Sequence, residues 1–297
     1  MKLLDLSIVI CNYNTQEILQ NTLSSIYKFT RNINFEIIVV DDGSTDNSVG
    51  MVKKYFPYVR IIKNYMNLGY SKSANKGTKI SRGRYVLHLN SDVVFTKKTS
   101  LEKILEFMNK SPHIGISGCK IITNNGDLDL PCRHSIPSLL NSFFQMFSMY
   151  RLFPKIKSTN YYMTYFPVNQ ITKVGGLGAF MIIRKDVIRK IGYLDERFFI
   201  YCEDTDYCIR TIKAGWDIYY YPKIAVKHMQ GGTTNQLKMK SLLLFHKSIL
   251  LYYKKHFSQK NFFLLNLIVY AGIYIRLILY IIVKFFSNKI KVSTTLC

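Results

Sequence analysis

Asn90, Ser91 and Asp92 close a short apolar run, Tyr85, Val86, Leu87 and Leu89, and a second apolar pair, Val93 and Val94, follows. The run is β-rich, long enough for a buried strand and too short for a helix. A carboxylate at the C-terminal end of a buried strand stands where open α/β sheets place their ligands. Asp is also a hard oxygen ligand, suited to a divalent cation that grips a substrate diphosphate. For an isolated Asp the plainer reading is a helix N-cap or a turn carboxylate, so the surrounding elements must decide. Other polar groups stand at similar places. Asp41 and Asp42 follow the run Phe35 to Val40, Glu203 and Asp204 precede a helical pattern, and His228 follows Ala225 and Val226.

The elements alternate. Leu6 to Cys11 reads as a buried strand ending in Asn12-Tyr13-Asn14, and Thr15 is placed to cap a helix with Ile18, Leu19, Leu23 and Ile26 on one face. Phe35 to Val40 is a second strand, whose loop caps a helix near Asn47 to Phe56. Val59 to Lys63 is a third. Asn67-Leu68-Gly69 turns into a helix reaching Ile80. Thr99 to Asn109 is an amphipathic helix and Ile114 to Ile122 another strand. This alternation predicts a parallel, doubly wound α/β sheet. From Pro131 to Asn169 the pattern weakens into an aromatic- and Met-rich insertion, with packing against the core and exposure to a membrane or acceptor both open. Order returns at Val174 to Arg184, then in a helix from about Asp204 to Gly215, then in short strands at Ile218 to Tyr221 and Ala225 to Val226.

The chain has 297 residues and 48% hydrophobic content, enough for one large domain plus an appendage. Its 41 basic and 18 acidic residues give a net charge of +23, which implies an anionic partner. Nucleic acid is one class of such partner, but no nucleic-acid-binding motif is present and much of the charge sits on an apolar tail. The six cysteines show no zinc spacing and read as reduced thiols.

Six segments in order carry a resemblance: SIVICNYN (7–14), EIIVVDDGSTDNS (36–48), NLGYSKSANKG (67–77), GRYVLHLNSDV (83–93), GAFMIIRKDVIRKIGYLDERFFIYCEDTDYCIR (178–210) and AGWDIYYYPKIAVKHMQGG (214–232). Together they resemble a family 2 glycosyltransferase of the GT-A fold, most like the bacterial rhamnosyltransferase type. The resemblance implies a catalytic domain over residues 1–236 with a Rossmann-like nucleotide-binding half. It also implies inverting transfer of a sugar from a nucleotide diphosphate donor. Asp41 and Asp42 are assigned to the nucleobase and ribose, and Tyr13 to stacking on the base. Asn67, Gly69 and Asn75 match the turn that shapes the nucleotide pocket, although Lys72 and Ala74 replace the commoner Arg before that Asn. Asn90, Ser91 and Asp92 match the metal motif usually written DxD, with Asp92 expected to touch Mg²⁺ or Mn²⁺. His228 resembles the late His that completes the metal shell. Glu203 and Asp204 match the acid pair, with Asp204 as catalytic base and Glu203 positioning the acceptor. An unperturbed Asp, pKa about 3.9, is already ionised at neutral pH, so placement alone is expected to suffice.

Residues 237–297 form a basic, apolar tail. Beyond Asp217 no acidic residue remains, while twelve Lys and Arg do. On a helical wheel Asn266, Tyr270, Arg276, Tyr280 and Lys284 share one side, which suits a helix lying in a membrane interface. With no carboxylate in the segment, its cations are expected to meet an anionic membrane surface, at the cytoplasmic face given Lys on both flanks. The resulting expectation is a membrane-associated transferase acting on a growing glycan or a polyprenyl-diphosphate-linked acceptor. The resemblance points to rhamnose as the sugar. A polyprenyl-phosphate sugar transferase is the alternative enzyme, and a catalytically inactive glycan- or nucleotide-binding protein the alternative of another class.

Overall fold

In the computed structural model, which describes residues 4–229 and 238–293, one mixed sheet organises the chain. The first half is parallel, as the alternation predicts. Strand β1 (Leu6–Asn12) lies between β2 (Phe35–Asp41) and β4 (Tyr85–Asn90), and β3 (Arg60–Lys63) pairs with β2. The connecting helices are α1 (Gln16–Phe29), α2 (Ser48–Tyr55) and α3 (Tyr70–Lys79). Thr15 occupies the N-cap of α1 without a capping bond, because its hydroxyl donates to Asn12 Oδ1 instead (2.6 Å). The strands are buried on both faces and therefore nearly continuously apolar, with Ile8, Val9, Ile10, Ile38, Val39 and Leu87 almost fully excluded from solvent.

The second half adds the antiparallel pairs of this mixed sheet. Strand β8 (Phe180–Arg184) runs antiparallel between β4 and β6 (Ile114–Ile122). Beyond β6 lies β9 (Asp217–His228), parallel to it, with β5 (Val93–Phe95) and β7 (Thr172–Lys173) antiparallel to β9. The two short strands expected at 218–221 and 225–226 are one strand. Its register slips between Tyr221 and Ala225, where Pro222 sits. Helix α4 (Leu101–Lys110) precedes β6, and α6 (Lys185–Ile191) and α7 (Glu203–Lys213) follow β8.

The insertion packs over one end of the sheet. The guanidinium of Arg133, 1% exposed, donates to the carbonyls of Phe166 (2.6 Å) and Pro167 (3.0 Å) and lies over the Tyr220 ring. Helix α5 (Leu139–Met146) starts in a Ser138–Asn141 capping box. Part of this segment packs against the core and part is exposed. Tyr150 and Met163 are buried, whereas Leu140, Phe143, Phe147 and Leu152 are exposed.

The tail forms two helices, α8 (Lys238–His256) and α9 (Phe263–Ser293). The boundary expected at residues 236/237, and the glycines after His228, lie outside the described residues. Two basic residues of the tail, Lys255 and His256, meet carboxylates of the catalytic region and not a membrane surface. Asp206 on α7, fully buried, accepts from Lys255 (2.6 Å) and His256 (2.7 Å) of α8 and from Arg210 of its own helix (2.9 Å). Lys255 also reaches Asp195 (2.7 Å). Burial alone would raise the Asp206 carboxyl, but these donors hold it below the usual carboxylate range.

Part of the polar stripe of α9 is likewise turned to protein. Asn266 accepts from the Tyr253 hydroxyl (2.7 Å), Tyr270 packs edge-on to Tyr253, and Arg276 lies against Phe245 and Tyr280. The Lys284 side chain lies outside the described residues. The opposite side of α9 is exposed and apolar, including Leu267, Ile275, Ile278, Leu279 and Val283. Phe263–Val283 is long and apolar enough to cross a membrane, with mean hydropathy 2.0.

Candidate active site

The register of the parallel half sets the C-terminal ends of three strands side by side. Cys11 is level with Asn90, and Asn12 with Asp41. The loops leaving those strands open into a cavity of about 1040 Å³ lined by Tyr13, Asp42, Asn67, Gly69, Asn90, Ser91, Asp92, Glu203, Asp204 and His228. Most residues singled out in the sequence therefore meet in one place.

Asp42 organises one wall of the cavity. Its Oδ1 accepts from Leu68 N (2.9 Å), Asn64 Nδ2 (2.9 Å) and Ser73 Oγ (2.8 Å), and its Oδ2 from Gly69 N (2.9 Å). Gly69 has φ +88°, and a Cβ there would stand 2.5 Å from the Phe199 carbonyl, so no other residue fits without a shift. Asp41 and Asn75 behave differently. Asp41 is fully buried, accepts from Asn12 Nδ2 (3.1 Å) and Ser44 N (3.1 Å), and does not line the cavity. Asn75 is 2% exposed and pins Leu194 through both its amide groups, at 2.9 and 3.0 Å. Both shape the pocket from behind.

On the adjoining wall, Val93 pairs with His228, which sets Asp92 beside the imidazole. His228 Nε2 donates to Asp92 Oδ1 (3.0 Å) and Nδ1 to Asp129 Oδ2 (2.7 Å). Burial opposes the charge on His228, but these two carboxylates outweigh it and lift the group to about 9. Asp129 is a site residue that the sequence reading passed over. The available signal was scarcity, since Asp127 and Asp129 are the only acids between Glu106 and Asp186. No group of three His, Cys, Asp or Glu among the described residues forms a ready metal cage. A carboxylate and an imidazole side by side at a cavity wall nevertheless suit a divalent cation that takes its remaining ligands from a bound diphosphate.

The acid pair opens α7. Tyr201 (φ +71°) and Cys202 (φ +64°) just before it are both left-handed, a costly conformation for non-glycine residues that turns the first helical side chains into the cavity. Asp204 Oδ1 accepts from Thr205 N (2.6 Å), and Gly178 leaves room for Oδ2. Glu203 is 7% exposed, with Oε2 unpartnered among the described residues. Burial, reinforced by the Asp204 charge, pushes Glu203 up to about 8. Burial also raises Asp204, and nearby His134 and Thr205 only partly offset it. The expectation that Asp204 needs no tuning is thus corrected, because two adjacent carboxyls partly withdrawn from solvent cannot both ionise easily. His134, stacked on Tyr161 at 4.6 Å, was also absent from the sequence reading.

The sequence matches the pattern of glycosyl transferase family 2 over residues 7–192. The chain belongs to this family. As a family 2 glycosyltransferase it is similar to the N-acetylglucosaminyl-diphospho-decaprenol L-rhamnosyltransferase of Mycobacterium tuberculosis, 26% identical over 260 residues that span 82% of each chain. It is also similar to the low-salt glycan biosynthesis hexosyltransferase Agl10 of Haloferax volcanii, 28% identical over 70% of this chain and 61% of that one. The fold is that of S. aureus TarS 1–349, solved in complex with UDP, with a TM-score of 0.53 at 20% identity. The match covers 83% of this chain and 65% of that one. Glycosyltransferases of this fold typically use a divalent metal. The five described cysteines are free thiols, as expected.

Proposed function

We propose that this glycosyltransferase moves a sugar, with inversion, from a nucleoside diphosphate donor to a lipid-linked acceptor at the cytoplasmic membrane surface. The observation that carries the reading is continuity. One cavity joins the Asp92–His228 corner to the acid pair and then runs on between α8 and α9, whose far side is exposed and apolar. The name of the mycobacterial relative, which specifies a diphospho-decaprenol acceptor and L-rhamnosyl transfer, points the same way.

In this reading Tyr13 stacks on the base, and the turn held by Asp42 shapes its pocket. Asp92 and His228 would hold Mg²⁺ or Mn²⁺, for which His228 would have to be neutral. When bound, the cation neutralises charge on the leaving diphosphate. Asp204 accepts the proton of the acceptor hydroxyl as its oxygen bonds to the anomeric carbon. The carbon–oxygen bond to the nucleotide breaks, and its electron pair leaves with the diphosphate. The raised pKa of Asp204 makes it a stronger base than a free carboxylate, and its charge faces the oxocarbenium-like transition state. Glu203, largely protonated at neutral pH, is placed to orient the acceptor. Incubating the full-length protein with a panel of nucleotide sugars tests the reading. Hydrolysis or transfer of one donor, abolished by EDTA, is the expected result, and none across the panel would refute it.

A further inference from the structure

Besides the acid pair, the cavity is lined by apolar residues of α5, α8 and α9, including Phe143, Ile249, Tyr252, Leu265 and Ile273. Arg276 also lines it, and it is the only Lys or Arg to do so among the described residues. Every partner of its guanidinium is neutral. Nε donates to the Met146 carbonyl (3.2 Å), Nη1 approaches His246 Nε2 (3.4 Å), and the Tyr280 and Phe245 rings lie 4.9 and 5.5 Å away. His246 donates through Nδ1 to Leu242 O (2.8 Å), which leaves its Nε2 free to accept. A guanidinium has five N–H donors, so this arrangement uses less than half. An arginine inside an apolar helix carries a desolvation cost. Among the described residues no carboxylate offsets that cost.

We infer that Arg276 is the acceptor's phosphate clamp: the apolar branch of the cavity takes the first part of the lipid chain of a lipid-linked diphosphate, and the guanidinium grips its phosphate oxygens. The acceptor sugar then projects toward Asp204. The inference rests on the lipid-linked acceptor proposed above and adds the residue that recognises it. A planar guanidinium suits this task, since it can meet two phosphate oxygens with parallel bonds. A bilayer headgroup is the poorer occupant. Arg276 turns inward, while the side of α9 facing away from the protein carries Ile275, Ile278, Leu279 and Val283.

The test is titration of full-length protein in detergent with farnesyl diphosphate and, separately, with farnesol. EDTA is included so that no metal can hold a diphosphate at the donor site. Farnesyl diphosphate should bind the wild type, and Arg276→Leu should weaken it at least ~10-fold, with Arg276→Lys in between. Farnesol should bind all three alike. If the Leu variant fails to fold, Arg276→Gln keeps a donor to Met146 and His246 and removes the charge, and the same loss is expected. Affinity for farnesyl diphosphate unchanged in the charge-free variant would overturn the clamp. So would a variant that keeps that affinity but loses sedimentation with phosphatidylglycerol vesicles, since Arg276 would then be a bilayer anchor. Wild-type donor hydrolysis is measured alongside. Its absence, with Arg276-dependent binding intact, would count against the proposed reaction and not against the clamp.

Discussion

Replacing Glu203 by Gln separates the two roles assigned to the acid pair. The folded protein holds the Glu203 proton up to about pH 8, against an ordinary value of 4.5. The folded state therefore binds this proton more tightly than the unfolded chain. Stability must fall as pH rises from 4.5 towards 8 and level off above. At 1.36 kcal/mol per unit the full cost is at most about 5 kcal/mol, part of it repulsion from Asp204. Gln keeps the shape and never ionises. The variant should melt close to wild type at pH 5 and several degrees higher at pH 8, where the cost has been removed. Its effect on turnover is read in the same samples. Below about pH 8 Glu203 is already neutral, so Gln leaves the charge beside Asp204 unchanged and the acidic limb of the pH–rate profile should stay where it is. Differential scanning fluorimetry and a pH series of donor turnover provide both readings. A variant that melts no higher at pH 8 would refute the buried, costly carboxylate. Turnover that collapses at every pH would transfer the base role to Glu203.

The remaining predictions concern the base, the metal corner and the tail. Asp204→Asn should lower turnover by ~10²–10⁴-fold with donor affinity nearly unchanged, measured by steady-state kinetics and nucleotide titration. Asp92→Ala should abolish metal-dependent nucleotide binding, and calorimetry with and without Mn²⁺ would show an unaltered metal response if Asp92 is not a ligand. Truncation after Gln236 removes Lys255 and His256 from the buried Asp206 and should destabilise the catalytic region by about 3–5 kcal/mol in urea unfolding. Full-length protein should sediment with anionic liposomes at low salt and be only partly released by high salt, because apolar burial is not screened.

How much of this was legible depended on whether the signal was local. Buried parallel strands are continuous apolar runs, so β1, β2 and β4 could be read to within a residue or so, and their C-terminal ends delivered Tyr13, Asp42 and Asp92 to the cavity. Strand order is not local. Nothing in Phe180–Arg184 says that it runs antiparallel between β4 and β6, since a strand buried on both faces reads the same in either direction. The same limit hid Asp129 and His134, which lie in the irregular insertion and reach the site only through long-range contacts with His228 and Asp204. It also misled the reading of the tail. Counting charges inside residues 237–297 found no acids, whereas the partners of Lys255 stand at Asp195 and Asp206.

The contact of Lys255 and His256 with Asp206 has a consequence for how such chains can diverge. Asp206 stands two positions after the proposed base, and its charge is matched largely by residues some fifty positions away. A lineage that loses or exchanges this tail inherits a buried anion in its catalytic helix. It must then change position 206 in step or recruit new cations from another element. The same coupling bears on engineering. A soluble catalytic fragment requires a second substitution, such as Asp206→Asn, and not just an earlier stop codon. Comparing relatives with and without the tail should therefore show residues 206, 255 and 256 changing as a set.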